Sequence, residues 1–249
     1  MSKKWTLFIP ALNEIDGLRE NMPQIPRDLF DQILVVDGNS KDGTLEYCKE
    51  NGYEVIEQTR PGLRGAYIDG FPLVRNEYVL TFSPDGNCIP GDCKKILDMV
   101  DEGDYDMVIA SRYFGGEKSE DDTLITAFGN WLFTNVINLL HGSRYSDAMT
   151  IFRGYKTKLF YELDIDKDSS YFMENWYNTV MGCEPLISVR AAKAKLKCGE
   201  FFSFEPARDS GAAKLQVIRW GLAYMSQVIL ETVMWKEKLP NLKKGLSHE

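Results

Sequence analysis

Short apolar runs that each stop in an acidic, turn-forming loop constrain this chain more than any other feature. Phe8-Ile9-Pro10-Ala11-Leu12-Asn13-Glu14 comes first and Val35-Val36-Asp37-Gly38-Asn39-Ser40-Lys41-Asp42-Gly43-Thr44 second, followed by Ser83-Pro84-Asp85-Gly86-Asn87. The first two read as strands buried on both faces, as parallel strands are. The C-terminal ends of such strands are where open α/β sheets bind ligands. Three strand ends carrying carboxylates and amides suit a polar ligand with a metal-bound phosphate.

The surrounding pattern agrees. Trp5–Pro10, Gln32–Val36, Glu54–Glu57, Tyr78–Phe82 and Met107–Ala110 read as strands, with helices over Thr44–Asn51, Gly65–Val74 and Gly91–Glu102. That βαβα alternation predicts an α/β fold with a mostly parallel central sheet, flanking helices and right-handed crossovers. Gly52 is the expected helix stop. Asp42 suits either the N-cap of the following helix or a ligand contact.

After Tyr113 the pattern changes. Phe114–Asp122 is glycine-rich and acidic, a loop by composition. Leu124, Phe128, Trp131, Leu132, Asn135, Val136 and Leu139 recur at helical spacing, as a core or subunit stripe more than an acceptor groove. Further helices are expected over Ser170–Met181 and Gly211–Trp235, and a strand over Pro185–Arg190. The expected organisation is one catalytic domain over residues 1–235. Within it, 1–113 is a nucleotide-binding half and 114–235 an acceptor-binding half, with 236–249 a basic tail.

The ordered motifs resemble those of family 2 glycosyltransferases of the GT-A fold, close to the dolichyl- and polyprenyl-phosphate sugar synthases. The likeness runs from about Trp5 to about Leu215. It implies that Pro10, Ala11, Asn13 and Glu14 of the first loop hold the nucleotide, together with Asp37, Asn39 and Ser40 of the second. It adds Arg64 and Gly65 from the Arg60-Pro61-Gly62-Leu63-Arg64-Gly65-Ala66 turn, and Ser83 and Pro84 from the third motif. Relatives usually carry Asp at the position of Ser83. The implied divalent cation, Mg²⁺ or Mn²⁺, therefore rests on Asp85 with Asn87 as a neutral donor.

Ser111-Arg112-Tyr113 and Asp147-Ala148-Met149-Thr150-Ile151-Phe152-Arg153 resemble further blocks of the same synthases, with Thr150 and Ile151 replacing the usual Ser and Gly. By that likeness Asp147 lines the sugar pocket, while Arg112 and Arg153 meet phosphate or an anionic acceptor. A structural Arg–Asp pair is the competing reading. Glu174 occupies the place of a recurrent acid, as general base, sugar contact or helix anchor. Arg208-Asp209-Ser210-Gly211-Ala212-Ala213-Lys214-Leu215 resembles a loop that closes over the phosphates, where Arg208 and Lys214 supply positive charge.

The implied reaction is an inverting sugar transfer from a nucleotide-diphospho-sugar, with Asp85, Asp147, Glu174, Arg208 and Lys214 as the catalytic set. A polyprenyl phosphate is the favoured acceptor and a sugar hydroxyl the alternative. A non-catalytic sugar-nucleotide-binding protein and a nucleotidyltransferase are the competing classes. The second lacks its usual Gly-rich first loop.

A net charge of -8 argues against nucleic acid as a partner. The five cysteines are odd in number and scattered, so reduced thiols are expected. Met-Ser-Lys-Lys-Trp runs straight into a strand, so no signal peptide is expected. No run reaches the roughly 20 apolar residues of a membrane span. A cytoplasmic protein is expected, with peripheral contact at the membrane's cytoplasmic face and self-association left open. The apolar residues of Leu215–Trp235, interrupted by Arg219, Gln227 and Glu231, fit a dimer-forming or core helix, or an interfacial one.

Overall fold

The computed structural model describes residues 3–206 and 217–235. Its chain begins with strand β1 (Trp5–Ala11), helix α1 (Ile15–Asn21), β2 (Gln32–Asp37), α2 (Thr44–Glu50), β3 (Glu54–Glu57), α3 (Gly62–Gly70) and β4 (Tyr78–Thr81). Next come α4 (Asp92–Gly103), β5 (Met107–Ser111), α5 (Leu124–His141), β6 (Arg153–Lys156) and α6 (Leu159–Glu162). The last elements are α7 (Met173–Tyr177), α8 (Glu184–Lys193), β7 (Cys198–Phe202) and α9 (Val217–Met234).

The strands form one sheet in the order β3-β2-β1-β4-β6-β5-β7. Only β6 runs antiparallel to its neighbours among the described strands. Along β1 the side chains alternate between the two faces. Phe8 packs with Val36, Tyr67, Phe71 and Tyr155 on one side. Leu7 and Ile9 pack with Leu18, Val35, Ile96 and Val100 on the other. Each such buried side chain contributes about 1.5–3 kcal/mol. Helices therefore cover both faces, and polar ligands are left only the strand ends. The register aligns those ends: Ala11 lies beside Asp37, and Asp37 beside Glu57.

The second half departs from expectation. Pro185–Arg190, expected as a strand, is the middle of α8, whose residues from Glu184 to Ala192 are all buried. A fully buried helix and a buried strand both read as unbroken apolar runs, and Pro185 in the first helical turn suits the helix. The helix expected over Ser170–Met181 is a 3₁₀ turn at Asp168–Tyr171 followed by α7, closed by Asn178 at φ 44°. The four-residue β6 and the five-residue β7 carry too little apolar patterning to stand out. The long C-terminal helix is present as Val217–Met234. It is pinned to α8 by buried Arg190, which donates from Nη2 to Glu231 Oε1 at 2.8 Å.

Candidate active site

The first two motif loops brace one another at the sheet's C-terminal edge. Asn13, at φ 55°, donates its backbone N–H to Ser40 Oγ at 2.8 Å, and its Oδ1 accepts from the Lys41 N–H at 2.8 Å. Thr44 Oγ1 accepts from the Glu14 N–H at 3.0 Å, and the Gly38 N–H reaches Ala11 O at 2.7 Å. Asp42 accepts from the Ile15 N–H through Oδ2 and from the Thr44 N–H and hydroxyl through Oδ1. Burial alone would raise its pKa, but the Thr44 and backbone hydrogen bonds outweigh it and hold the carboxyl below its ordinary value. Asp42 thus serves as scaffold.

Asp37 is fully buried at the end of β2. Its Oδ2 accepts from the Ser40 N–H at 3.0 Å, while Oδ1 has no hydrogen-bond partner among the described residues. Such an orphan costs about 1–3 kcal/mol. Exposed Asn39, at φ 65°, donates from Nδ2 to Gln58 O at 3.0 Å and so ties the second loop to the end of β3. Asp69 then fixes the turn before α3 by accepting from the N–H groups of Thr59 and Arg60. Gly65 lies buried in α3, where a Cβ would meet Arg60 O at 2.1 Å. Pro10 and Glu14 are half-buried and Ala11 is buried at the same edge.

The third motif is reached through α1, a helix that sequence reasoning missed. Asn21 Nδ2 donates to Pro84 O at 3.0 Å and to Gly17 O at 2.9 Å. A Cβ on Gly17 would stand 2.0 Å from Pro84 O, so α1 lies directly on the 83–87 segment. Gly17→Ala is expected to cost about 1–3 kcal/mol and to displace that segment. A thermal melt beside a transfer assay checks it, and full activity with an unchanged melt is the contrary outcome. Ser83, Asp85 and Asn87 are half-buried and Pro84 is buried. Asp85 Oδ1 accepts from the Asn87 N–H at 3.3 Å. Among the described residues no group of three His, Cys, Asp or Glu side chains could hold a metal.

Asp147, fully buried, pairs with half-buried Arg112. Arg112 donates from Nε to Asp147 Oδ2 at 2.6 Å and from Nη2 to Oδ1 at 3.1 Å. Asp147 also accepts from the Met149 and Thr150 N–H groups, which fixes the turn before β6. Burial pushes its pKa up, but the Arg112 guanidinium outweighs that and holds the carboxyl below its usual range. Glu205 joins the cluster, 3.4 Å from Arg112 Nη1 and hydrogen-bonded to the Ser119 hydroxyl. Burial raises its pKa against the pull of Arg112. Nothing in its local sequence flagged Glu205.

Arg153 requires a correction. Expected to meet an anionic acceptor, it is fully buried within β6. Its guanidinium donates to Ser188 Oγ at 2.9 Å and to the carbonyls of Thr150, Ala148 and Glu184. These bonds join β6 to α8 and leave no face for a ligand. Its partners are carbonyls and a hydroxyl, so the expected Arg–Asp pair belongs to Arg112 instead.

Glu174 and Arg64, 110 residues apart in sequence, are brought together. Arg64 donates from Nη2 to Glu174 Oε2 at 2.6 Å and from Nε to Oε1 at 3.2 Å. Oε1 also accepts from the Met181 N–H at 2.7 Å. Arg64 further pairs with Asp168 at 2.7 Å and sits 4.5 Å from the ring centroid of Tyr171. The expected cations Arg208 and Lys214 lie outside the described residues.

Comparison with known proteins agrees with this fold. The model of glycosyl transferase family 2 matches residues 6–164. The chain belongs to that family and is a glycosyltransferase. It is 26% identical over 226 residues to the glycosyltransferase AglJ of Haloferax volcanii, covering 86% of this chain and 70% of that one. It is 25% identical over 170 residues to a UDP-N-acetylglucosamine–dolichyl-phosphate N-acetylglucosaminyltransferase of Methanococcus voltae, covering 60% of this chain and 68% of that one. Glucosyl-3-phosphoglycerate synthase of Mycobacterium tuberculosis, crystallised with Mn²⁺, UDP and phosphoglyceric acid, superposes with a TM-score of 0.64 at 14% identity. That match covers 92% of this chain and 78% of the synthase, and it supports the GT-A fold.

Proposed function

We propose that the protein transfers a sugar from a nucleotide-diphospho-sugar to a polyprenyl phosphate, with inversion at the anomeric carbon. The braced loops at Asn13 and Ser40 form the nucleotide cradle, and Asp37 Oδ1 lacks the donor that a base N–H would supply. Asp85 and Asn87 are the residues to hold a divalent cation, completed by oxygens of the donor's own diphosphate, since Ser83 offers no second carboxylate. A cation bound there would neutralise the leaving group. Arg208 and Lys214 are the candidate cations for the phosphates.

One observation carries the choice of acceptor. Both oxygens of Glu174 accept from Arg64, and Oε1 also takes the Met181 N–H. A carboxylate so engaged is poorly placed to take a proton. A phosphate acceptor needs none removed, whereas a sugar hydroxyl needs a base. The dolichyl phosphate in the name of the Methanococcus voltae relative supports the same choice.

The test pairs radiolabelled sugar nucleotides with polyprenyl phosphate and follows label into the organic phase. Glu174→Gln is expected to keep kcat within about tenfold, because no proton transfer depends on it. A fall of roughly 10²–10⁴-fold, with fold and nucleotide binding intact, is the signature of a general base and would overturn the phosphate-acceptor reading.

A further inference from the structure

Strand β7 ends the sheet, with β4, β6 and β5 between it and β1, whose end carries the first motif loop. Beside it lies a cavity of about 430 Å³, within the size range of small-molecule sites. Tyr105, Phe114, Arg144, Lys195, Leu196 and Glu200 are among its lining residues. The lining includes none of the residues assigned above to sugar transfer.

Two cations in its wall are placed by the fold. Arg144 stands in a turn bracketed by one side chain, Asn138 of α5. Asn138 Oδ1 accepts from the Tyr145 N–H and the Ser143 hydroxyl, each at 2.8 Å, and its Nδ2 donates to Tyr145 O at 2.8 Å. Arg144 itself is exposed and has no hydrogen-bond or ion-pair partner among the described residues. Lys195 follows α8 at φ 56°, the left-handed position after a helix that glycine ordinarily fills. A side chain there is strained. Lys195 Nζ donates to His141 O at 2.7 Å, in the last turn of α5, and the ammonium keeps further donors for a ligand.

The nearby carboxylates do not cancel these cations. Glu200, which lines the cavity, accepts from the Ser146 N–H at 2.7 Å, the Ser146 hydroxyl at 2.9 Å and the Asp147 N–H at 3.2 Å. Asp106, next to Tyr105, accepts from Lys156 Nζ and from the Lys197 N–H, each at 2.9 Å. Asp104 before it and Glu117 beyond Phe114 are exposed, and neither lines the cavity. Lys118 adjoins Glu117, and Lys197 Nζ lies 4.9 Å from the Tyr105 ring centroid. On a chain of net charge -8, the lining thus carries Arg144 and Lys195 against Glu200 alone. Phe114, 44% exposed, and buried Leu196 give it an apolar side.

We propose that this cavity binds a sugar phosphate, with Arg144 and Lys195 on the phosphate and Phe114 against the sugar ring. An unpaired guanidinium and a fixed ammonium suit phosphate oxygens, which accept charge-assisted hydrogen bonds from both. The exposed aromatic ring supplies apolar area for the C–H face of a sugar, and the volume suits one small molecule. Binding here requires neither the donor nor the acceptor of the transfer reaction, so the site stands apart from the reading proposed above.

Equilibrium dialysis of the full chain against radiolabelled glucose 1-phosphate, inorganic phosphate or glucose tests the proposal. Glucose 1-phosphate is expected to bind in the millimolar range or tighter, ahead of inorganic phosphate, and glucose not measurably. Arg144→Ala should weaken binding about tenfold or more, the scale of one charge-assisted hydrogen bond. Lys195→Gly should weaken it similarly while the melt holds or rises, because glycine relieves the left-handed backbone. Asp85→Ala should bind glucose 1-phosphate like the parent, which separates the cavity from the 83–87 segment. The proposal is overturned if glucose 1-phosphate stays unbound at millimolar concentration, or if either cavity variant binds it like the parent. It is also overturned if inorganic phosphate or glucose binds as tightly, or if Asp85→Ala abolishes binding.

Discussion

Asp85→Ala is expected to lower kcat by roughly 10²–10³-fold or more, the scale on which removing one group that stabilises developing charge acts. Asp85 is the only carboxylate in the 83–87 segment, and no described cluster of metal-ligating side chains can take its place. Stability should barely move. The carboxylate is half-buried at the edge of the sheet, and substitutions away from the packed core usually change stability little. Two measurements separate the effects: transfer kinetics at saturating Mg²⁺ or Mn²⁺, and calorimetric Mn²⁺ titration with nucleoside diphosphate present. Near-normal turnover with unchanged Mn²⁺ affinity would show that the segment does not serve the diphosphate.

The second large effect is on stability. Arg112→Met strands Asp147, which is fully buried and would keep only backbone donors, from residue 112, Met149 and Thr150. Breaking a buried pair from one side costs about 3–5 kcal/mol. The effect should depend on pH in one direction. The folded-state pKa of Asp147 lies below its ordinary value, so the Arg112 pair stabilises fully above that value and is lost as pH falls through the folded pKa. The gap between parent and variant should be widest near neutrality and narrow below about pH 4, where the carboxyl protonates in the unfolded chain. Denaturant unfolding across that range checks it, and a gap that widens in acid would contradict the assignment.

Much of the nucleotide half was legible in the sequence because its determinants are local. The apolar run of β1 is closed by Asn13, and that of β2 by Asp37 and Gly38, within a few residues of the strand ends. Even so, α1 escaped notice. Its seven residues include Gly17 and Asn21, and both are explained only by contact with Pro84, far along the chain.

Beyond Tyr113 the local signals weaken, and long-range contact decides. The run Pro185–Arg190 is equally apolar as strand or helix, and its enclosure within the core selects the helix. Arg153 followed a motif that suggested an anion contact, but its place in antiparallel β6 gives its guanidinium to α8. Arg64 and Glu174 lie 110 residues apart in sequence, and only the fold makes them partners.

The helical spacing of Leu124, Phe128, Trp131 and Leu139 gives α5 an apolar stripe, and the sequence of α9 shows an apolar-rich helix, because spacing alone decides which residues share a helix face. Which way the stripe points was decided by the tertiary structure. Buried Arg190 requires Glu231 as its counter-charge, and satisfying that charge turns the apolar residues of α9 outward.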